Sequence, residues 1–349
     1  MRSLSVFRVA GFPQAGLSAL IVLLSVMHLS AQEDFGYKLS CELRRIFDER
    51  KDSVVRVEAL DSHGKLCGTG FFADPSGTIY TLSYIVANAD EILVCRGDKK
   101  VPARLLVADA RSGIALIKMD ASSPFIPIGP SRSLPLASPV MTIGYPVDSD
   151  SQMSFGIIGG FDHKFLGKYF TTTHIRANIP VQPGFGGAPL LNLKGEVVGI
   201  IISSIGDGAG SFAVPIEAAE KIRMDYARFG EPRHGWLGVV VEEQSEAVEG
   251  STVRVAEVGP ETPAAKSGLQ KGDVLLQVGD IKTFQPEDVI DASYFITAGD
   301  PVPVTVVRNG EKIVLDMRSS RHPVTDVPSP FPTELHVVLP EANETLKLK

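Results

Sequence analysis

A succession of short strand-like segments limits what this chain can fold into more than any other feature. The segments are rich in β-branched and aromatic residues, and turns such as Asp74-Pro75-Ser76-Gly77 separate them. Many short strands with almost no helical periodicity indicate an all-β barrel or sandwich. We expect strands over residues 54–57, 68–73, 78–82, 92–95, 114–118, 140–144, 156–161, 169–175 and 197–203.

A smaller α+β module follows this region. Apolar residues at helical spacing predict a helix over residues 216–229, and residues 230–234 have the composition of a linker. Asn309-Gly310 predicts a β-hairpin, because both central residues of such a turn need a positive φ. In the module, residues 235–318, we expect strands over residues 253–258, 274–278, 302–308 and 312–317 and a helix over residues 286–298.

The two ends of the chain differ from the rest. Residues 1–31 combine arginines near the start with an uncharged apolar run and small residues at its end, where a signal peptidase would cleave. This is the pattern of a secretory signal peptide. An uncleaved anchor is the alternative. No later run is apolar for about 20 residues, so we expect no membrane span after cleavage. A short amphipathic helix is expected around residues 39–47, and five prolines favour a flexible, extended tail over residues 319–349.

Charge and cysteine content argue against some functions. The 34 Lys and Arg face 41 Asp and Glu, which argues against nucleic acid as a partner because phosphate binding needs a basic face. Cys41, Cys67 and Cys95 cannot all pair within one chain. We expect Cys67 and Cys95 to be small buried apolar residues, and a Cys67–Cys95 disulfide is the alternative. Their spacing does not suggest zinc, and we expect no metal or organic cofactor.

Three segments together resemble the HtrA/DegP-type serine proteases. They are GTGFFADPSG with the strand that leads to residue 86, DARSGIAL around residue 113, and the glycine-rich QPGFGGAPL. The resemblance covers residues 53–318. It implies an all-β, trypsin-like double β-barrel over residues 32–229, followed by a smaller α+β PDZ domain over residues 235–318.

The three catalytic positions of that family hold other residues here. Tyr84 stands in place of its histidine, Gly113 in place of its aspartate and Gly186 in place of its serine. Hydrolysis by this route needs a hydroxyl nucleophile, an imidazole that takes its proton and a carboxylate that orients the imidazole. The sequence therefore predicts an exported, catalytically inactive HtrA-like protein that regulates a protease or acts like a chaperone.

Two other functions stay open. A relocated pair, His174 with Ser203 or Ser204, would make the chain an endopeptidase in protein quality control, and Cys95 is a further candidate nucleophile. Alternatively, the barrel serves as a structural subunit of homo- or hetero-oligomers with HtrA-like proteins, since the family commonly builds trimers.

The glycine-rich loop also has two interpretations. Gly184, Phe185 and Gly186 either keep backbone N–H groups in an oxyanion-type arrangement, which would bind a carbonyl without cleavage, or form a turn in which Phe185 fills space. Tyr84 either fills the former cleft or packs there as an aromatic that favours strands.

The start of the second module resembles the carboxylate-binding loop of HtrA-type PDZ domains. The resemblance implies that the C-terminus of a peptide or an unfolded protein binds at this loop and adds a strand beside it. Its last side chain would enter an apolar pocket near the predicted helix. The alternative is a core tryptophan beside an empty groove. The candidate peptide-binding residues are Trp236, Leu237, Gly238, Val239, Val241, Val289 and Ser293.

Overall fold

The computed structural model describes residues 36–62, 64–97, 99–165, 168–206 and 208–321, without the side chains of residues 168 and 169. The residues up to Asp48 form one unit, and those from Glu49 form another. Helix α1, residues 36–50, agrees with the predicted amphipathic helix. The predicted signal peptide and the tail from residue 322 lie outside the described residues.

Six antiparallel strands close into a first barrel in the order β1-β2-β3-β6-β5-β4. They are β1 Val54–Asp61, β2 Gly64–Phe72, β3 Thr78–Leu82, β4 Glu91–Arg96, β5 Lys99–Asp109 and β6 Ile114–Lys118. A 3₁₀ turn, Lys51–Ser53, precedes β1, and the short helix α2, Ser83–Val86, directly follows β3. Phe71, Ile79 and Tyr80 are fully buried, so the apolar side chains of β2 and β3 form the core beneath α2.

Six further strands close into a second barrel in the order β10-β11-β12-β9-β8-β7. They are β7 Pro139–Gly144, β8 Gln152–Phe165, β9 Lys168–Ala177, β10 Pro189–Asn192, β11 Val197–Ile205 and β12 Gly210–Pro215. Helix α3, Ile216–Phe229, has the predicted bounds. It buries Ile216, Ala219 and Ile222 and ends at Gly230, whose φ of 76° suits a glycine C-cap.

The second module is a sheet in the order β14-β15-β16-β18-β19, with β17 paired to β16, so that β14 is an edge strand. A separate two-stranded ribbon joins β13 to β20. The elements are β13 Gly235–Trp236, β14 Val239–Val248, β15 Ser251–Val258, α4 Pro263–Lys266, β16 Val274–Val278, β17 Ile281–Lys282, α5 Pro286–Phe295, β18 Pro301–Arg308, β19 Glu311–Arg318 and β20 Ser320–Arg321. Asn309 and Gly310 have φ values of 52° and 83°, which confirms the predicted hairpin.

The predicted fold class, all-β double barrel followed by a smaller α+β domain, is confirmed. Most strands extend beyond their predicted bounds, and the predicted end of the helix in the second module and the predicted start of the tail were wrong. Helix α5 ends at Phe295, not at residue 298, because Ile296 is extended and its carbonyl accepts the Gly235 N–H at 2.8 Å. The first residues assigned to a flexible tail are ordered, because Ser320 pairs with Trp236 in the β13–β20 ribbon and Ser319 is buried.

Candidate functional site

The three positions that would carry the triad come together in space. Tyr84 lies on α2, Gly113 in the turn between β5 and β6, and Gly186 in the loop before β10. The Ser83 N–H donates to the Gly113 carbonyl at 2.8 Å, which holds α2 beside that turn. A Cβ atom built on Gly186 would lie 2.5 Å from the Tyr84 hydroxyl oxygen. The strands therefore assemble the site, but the side chains at these positions are a phenol and two hydrogens.

The Tyr84 hydroxyl occupies the space in which a side chain at residue 186 would begin. The residue as a whole is 56% exposed, and burial of its hydroxyl end raises the pKa of the phenol above its ordinary value. A free tyrosine already has a pKa near 10, so the phenol remains protonated at neutral pH. Tyr84 consequently fills the site without providing a proton acceptor.

The turn at Gly113 favours glycine. Its φ is 76°, in the left-handed region where an L side chain is strained by roughly 1–2 kcal/mol. Its N–H donates to the Asp109 carbonyl at 2.9 Å, which closes the turn. The backbone here is therefore set for a residue without a side chain, and no carboxylate is presented toward Tyr84 from this position.

The same turn holds a buried carboxylate that the sequence analysis did not single out. Asp109 is 5% exposed, and it accepts hydrogen bonds from the Ser112 N–H at 2.9 Å and the Ser112 hydroxyl at 2.5 Å. The His234 Nε2 lies 2.7 Å from its other oxygen. Burial alone would raise the pKa of Asp109, but the hydrogen bonds with His234 and Ser112 outweigh it and lower the pKa. The Asp-x-x-Ser spacing predicts the local turn, whereas nothing in the sequence points to His234.

The Asp109–His234 pair joins the first barrel to the segment that leads into the second module. The His234 ring packs against Tyr294 at 5.1 Å between ring centroids. Among the described residues, His234 Nδ1 has no hydrogen-bond partner. No hydroxyl or thiol of the described residues is hydrogen-bonded to this imidazole, and the pair connects the end of β5 to the segment before β13.

The glycine-rich loop keeps free donors. Gly184 and Gly187 have φ values of 101° and 89°, which explains the need for glycine there. Within the described part of the chain, the N–H groups of Gly184 and Gly186 donate to no other group. The Gly184 carbonyl accepts the Thr69 hydroxyl at 2.7 Å, so the loop is fixed to the first barrel. Phe185 is 1% exposed and packs in the core of the second barrel.

A cavity of about 410 Å³ opens beside this loop. Its lining includes Tyr84, the loop over residues 181–186 and residues 201–204 at the end of β11. Because its lining contains unpaired backbone donors and apolar side chains, the cavity can bind a backbone carbonyl of an extended polypeptide.

The relocated Ser/His pair is not joined by a hydrogen bond in the described residues. The His174 Nδ1 is 2.6 Å from the Thr172 carbonyl, and its ring stacks on Phe170 at 4.0 Å. Complete burial lowers the pKa of His174 to about 4. Ser203 and Ser204 line the cavity instead.

All three cysteines carry free thiols, so the Cys67–Cys95 disulfide is absent. Cys95 is buried, as favoured from the sequence, while Cys67 is half-buried and Cys41 is exposed. Burial and the charge of Glu58 raise the pKa of the Cys95 thiol, which disfavours the reactive thiolate.

The predicted peptide loop of the second module lies at the open edge of its sheet. Leu237 is buried, and its carbonyl accepts the Ala264 N–H at 2.9 Å. Gly238 has a φ of 77°, and a Cβ there would meet Thr262 at 2.3 Å. Among the described residues, the N–H groups of Leu237 and Gly238 donate to no other group. The loop therefore presents unused donors next to the unpaired edge of β14.

The remaining predicted groove residues lie on both sides of this edge. Val239 and Val241 on β14 pack against the apolar core to which Val289 of α5 belongs. Trp236 is half-buried and pairs with Ser320 across the β13–β20 ribbon. Ser293 lies one helical turn after Val289, and its hydroxyl is 3.4 Å from Nη2 of Arg111 in the first barrel.

Comparison with known families divides the chain in the same way. Residues 68–200 match the trypsin-like peptidase domain, and residues 235–318 match the PDZ domain. A probable periplasmic serine endoprotease, DegP-like, of Pseudomonas fluorescens is 32% identical over 272 residues, which cover 74% of this chain and 57% of that protein. The chain belongs to the HtrA/DegP type.

Other relatives match a similar share of the chain. The corresponding DegP-like protein of Halomonas elongata is 33% identical over 294 residues, covering 79% of this HtrA/DegP-type chain and 62% of the relative. The chain thus spans about three fifths of the length of these relatives. The HtrA-type protease AlgW with tripeptide aligns with a TM-score of 0.67 at 23% identity, covering 80% of this chain and 97% of that one. The serine endoprotease from Yersinia pestis aligns with a TM-score of 0.59 at 24% identity, covering 80% and 97%.

Two features are absent from the part of the HtrA/DegP-type chain that the structure describes. No helix there has the length and apolar character that crossing a membrane requires. No group of three or more His, Cys, Asp or Glu side chains is arranged there to hold a metal ion.

Proposed function

We propose that this chain is an exported, catalytically inactive HtrA/DegP-type protein that binds peptides or unfolded polypeptides through its PDZ domain. In this role it acts like a chaperone or regulates an active protease. The observation that carries the proposal is the contact between residues 84 and 186: a phenol fills the place where a nucleophile would stand. Scaffold and cleft are retained, while the attacking group is missing.

The loss of hydrolysis follows from the chemistry of the site. Loss of a protease triad costs on the order of 10⁶ in turnover and leaves only the weak acceleration provided by binding and the oxyanion hole. Gly186 offers no oxygen, and Tyr84 is a protonated phenol at neutral pH. The free amides at Gly184 and Gly186 can still bind a carbonyl oxygen, which favours retention of a polypeptide over its cleavage.

The PDZ domain supplies the binding function. An unpaired edge strand accepts an extended peptide, whose backbone bonds give affinity. The N–H groups of Leu237 and Gly238 are available for a terminal carboxylate, and Val289 offers an apolar wall. The AlgW structures, which contain peptides, belong to proteins with the same fold.

Inactivity is tested with the purified chain, a fluorescently labelled unfolded protein and a serine-directed fluorophosphonate probe. We expect neither turnover nor labelling. The reference is the triple variant Tyr84→His/Gly113→Asp/Gly186→Ser. The single variant Gly186→Ser is measured beside it, because its new Cβ would meet the Tyr84 hydroxyl. Turnover that survives repurification of the wild-type chain would refute inactivity.

The endopeptidase alternative is tested in the same assay. If wild-type turnover is found, its loss in His174→Gln or Ser203→Ala would favour the relocated pair. Turnover that is unchanged in both variants would exclude this pair.

Peptide binding is tested by screening a library of decapeptides with free C-termini against the full chain. We expect enrichment of peptides with an apolar last residue, because the predicted pocket between β14 and α5 would be lined by Val289. A screen that enriches nothing over beads without protein would refute the PDZ part of the proposal.

Export and assembly are tested separately. The DegP-like relatives are named periplasmic, and the predicted signal peptide would direct this chain to the same kind of compartment. Mass spectrometry of the cell-envelope fraction should find a chain that begins near residue 32. Light scattering of the chain alone and mixed with an active relative tests whether it assembles with HtrA-like partners, and a monomer in both cases would contradict such assembly.

A further inference from the structure

The turn between β5 and β6 extends a cation onto the PDZ helix. The Arg111 guanidinium reaches α5, with Nη2 at 3.4 Å from the Ser293 hydroxyl and Cζ at 6.0 Å from the Tyr294 ring centroid. The Thr171 hydroxyl donates to the Arg111 carbonyl at 3.0 Å, and the neighbouring Asp109 is bonded to His234. The backbone beneath the guanidinium is therefore held from both barrels and from the linker.

This guanidinium has no carboxylate partner of its own. Within the described residues, no acidic oxygen lies within 4.0 Å of it. Asp109 attracts it electrostatically, but the Asp109 oxygens are already bonded to Ser112 and His234. Burial lowers the pKa of Arg111, yet a guanidinium stays charged in proteins. A half-buried cation with no carboxylate oxygen of the described residues within 4.0 Å has the chemistry of an anion-binding group.

Helix geometry places this cation at the peptide groove. At 3.6 residues per turn, Ser293 lies on the same face as Val289, the predicted groove wall. The opposite side of α5 is covered by the second barrel, where Asp291 accepts the Thr173 N–H at 2.8 Å. Just past the end of α5, the Ile296 carbonyl accepts the Gly235 N–H, directly before the peptide loop. Arg111 thus reaches the end of the groove at which that loop begins.

We propose that Arg111, a residue of the first barrel, forms part of the PDZ peptide site and binds a carboxylate of the peptide. The inference rests on the proposed peptide-binding function and specifies its ligand. The carboxylate is either the peptide terminus or an Asp or Glu side chain next to it, since both present the planar pair of oxygens that a guanidinium binds. The peptide site is then complete only when the PDZ domain is docked on the barrel.

The experiment measures fluorescence anisotropy of the tightest library decapeptide, labelled with fluorescein, on the full chain. Arg111→Gln should weaken binding about tenfold, the order expected for one charged hydrogen bond. Arg111→Lys, which keeps the charge but loses the planar fork, should weaken binding less. The matched control is Arg132→Gln, because Arg132 also contacts α5, over the Phe295 ring at 3.8 Å and 3.7 Å from an Asp291 oxygen, but from the segment between β6 and β7.

Peptide variants separate the two carboxylates. If Arg111 binds the peptide terminus, an amidated C-terminus should abolish the difference in affinity between wild type and Arg111→Gln. If it binds a side chain, Asn and Gln in place of peptide Asp and Glu should abolish that difference. Thermal melting of each variant identifies any general loosening, which would lower the affinity for both forms of peptide equally.

The outcomes are distinguishable. A library screen that enriches no peptide refutes the proposed function and this inference with it. Enrichment followed by equal affinities of wild type and Arg111→Gln overturns the inference alone. Equal weakening by Arg111→Gln and Arg132→Gln, independent of peptide charge, also overturns it, because a docking effect would then explain the loss.

Discussion

The contact between Tyr84 and Gly186 makes a quantitative prediction for a double-mutant cycle. In Gly186→Ala, the new Cβ would lie 2.5 Å from the tyrosine hydroxyl and 3.2 Å from a Leu82 methyl, against at least 3.4 Å for ordinary contact. The hydroxyl must therefore retreat by roughly 0.9 Å, an overpacking cost of about 1–1.5 kcal/mol, at the low end because the tyrosine is 56% exposed and can swing outward.

Removal of the tyrosine should reverse the sign of the effect. Gly186 does not have a positive φ, so alanine fits its backbone. In the Tyr84→Ala background, Gly186→Ala should stabilise the chain by about 0.4–1 kcal/mol through the lower entropy of the unfolded chain. The expected coupling energy is therefore about 2 kcal/mol.

The assay is urea unfolding of the four proteins, with the free energy of unfolding taken from each curve. The matched control is Gly160→Ala, whose Cβ would meet only the far end of Arg176 at 3.2 Å. Its effect should be the same with and without Tyr84. A coupling energy for Gly186→Ala below about 0.5 kcal/mol would refute the claim that the tyrosine fills this space.

Three further predictions concern the polar groups of the fold. Burial lowers the pKa of His174 from 6.5 to about 4, so the chain should lose about 3 kcal/mol of stability as the pH falls from 6.5 to 4. Urea unfolding at each pH measures this loss, which should be absent in His174→Gln. Asp109→Asn should lower the free energy of unfolding by about 1.5–3 kcal/mol at pH 7. Because the pKa of Asp109 is lower in the folded than in the unfolded chain, the variant should also lack the loss of stability that wild type shows as the pH falls below about 4. Unchanged unfolding curves would contradict the bond to His234. Asp291→Ala removes the acceptor of the Thr172 hydroxyl and the Thr173 N–H, so small-angle scattering should show a larger radius of gyration, and an unchanged radius would show that this contact does not hold the PDZ domain.

Sequence patterns predicted the positions that meet at the site. These positions came from the resemblance to the HtrA/DegP family, and Tyr84 and Gly113 meet because they follow and precede strands that pair directly, with Leu82 opposite Ile114. The helix over residues 216–229 was predicted at both ends, because the apolar face and Gly230 are local signals.

Features that depend on distant contacts were not predictable. Strand β5 contains Lys99, Lys100 and Pro102, which disfavour a strand locally, but its pairing with both β4 and β6 overrides them. The Asp109–His234 bond spans 125 residues, and the contact of Arg111 with Ser293 spans 182. Such contacts follow from domain docking, which a single sequence does not encode in any local pattern.

The open side of β14 has a consequence for solubility. An unpaired strand edge can pair with the same edge of another copy, and such pairing leads to aggregation. Here Glu243 and Glu246 are exposed along that strand, so two copies that approached side by side would bring rows of negative charge together. The edge therefore repels its own duplicate while it stays accessible to a foreign strand.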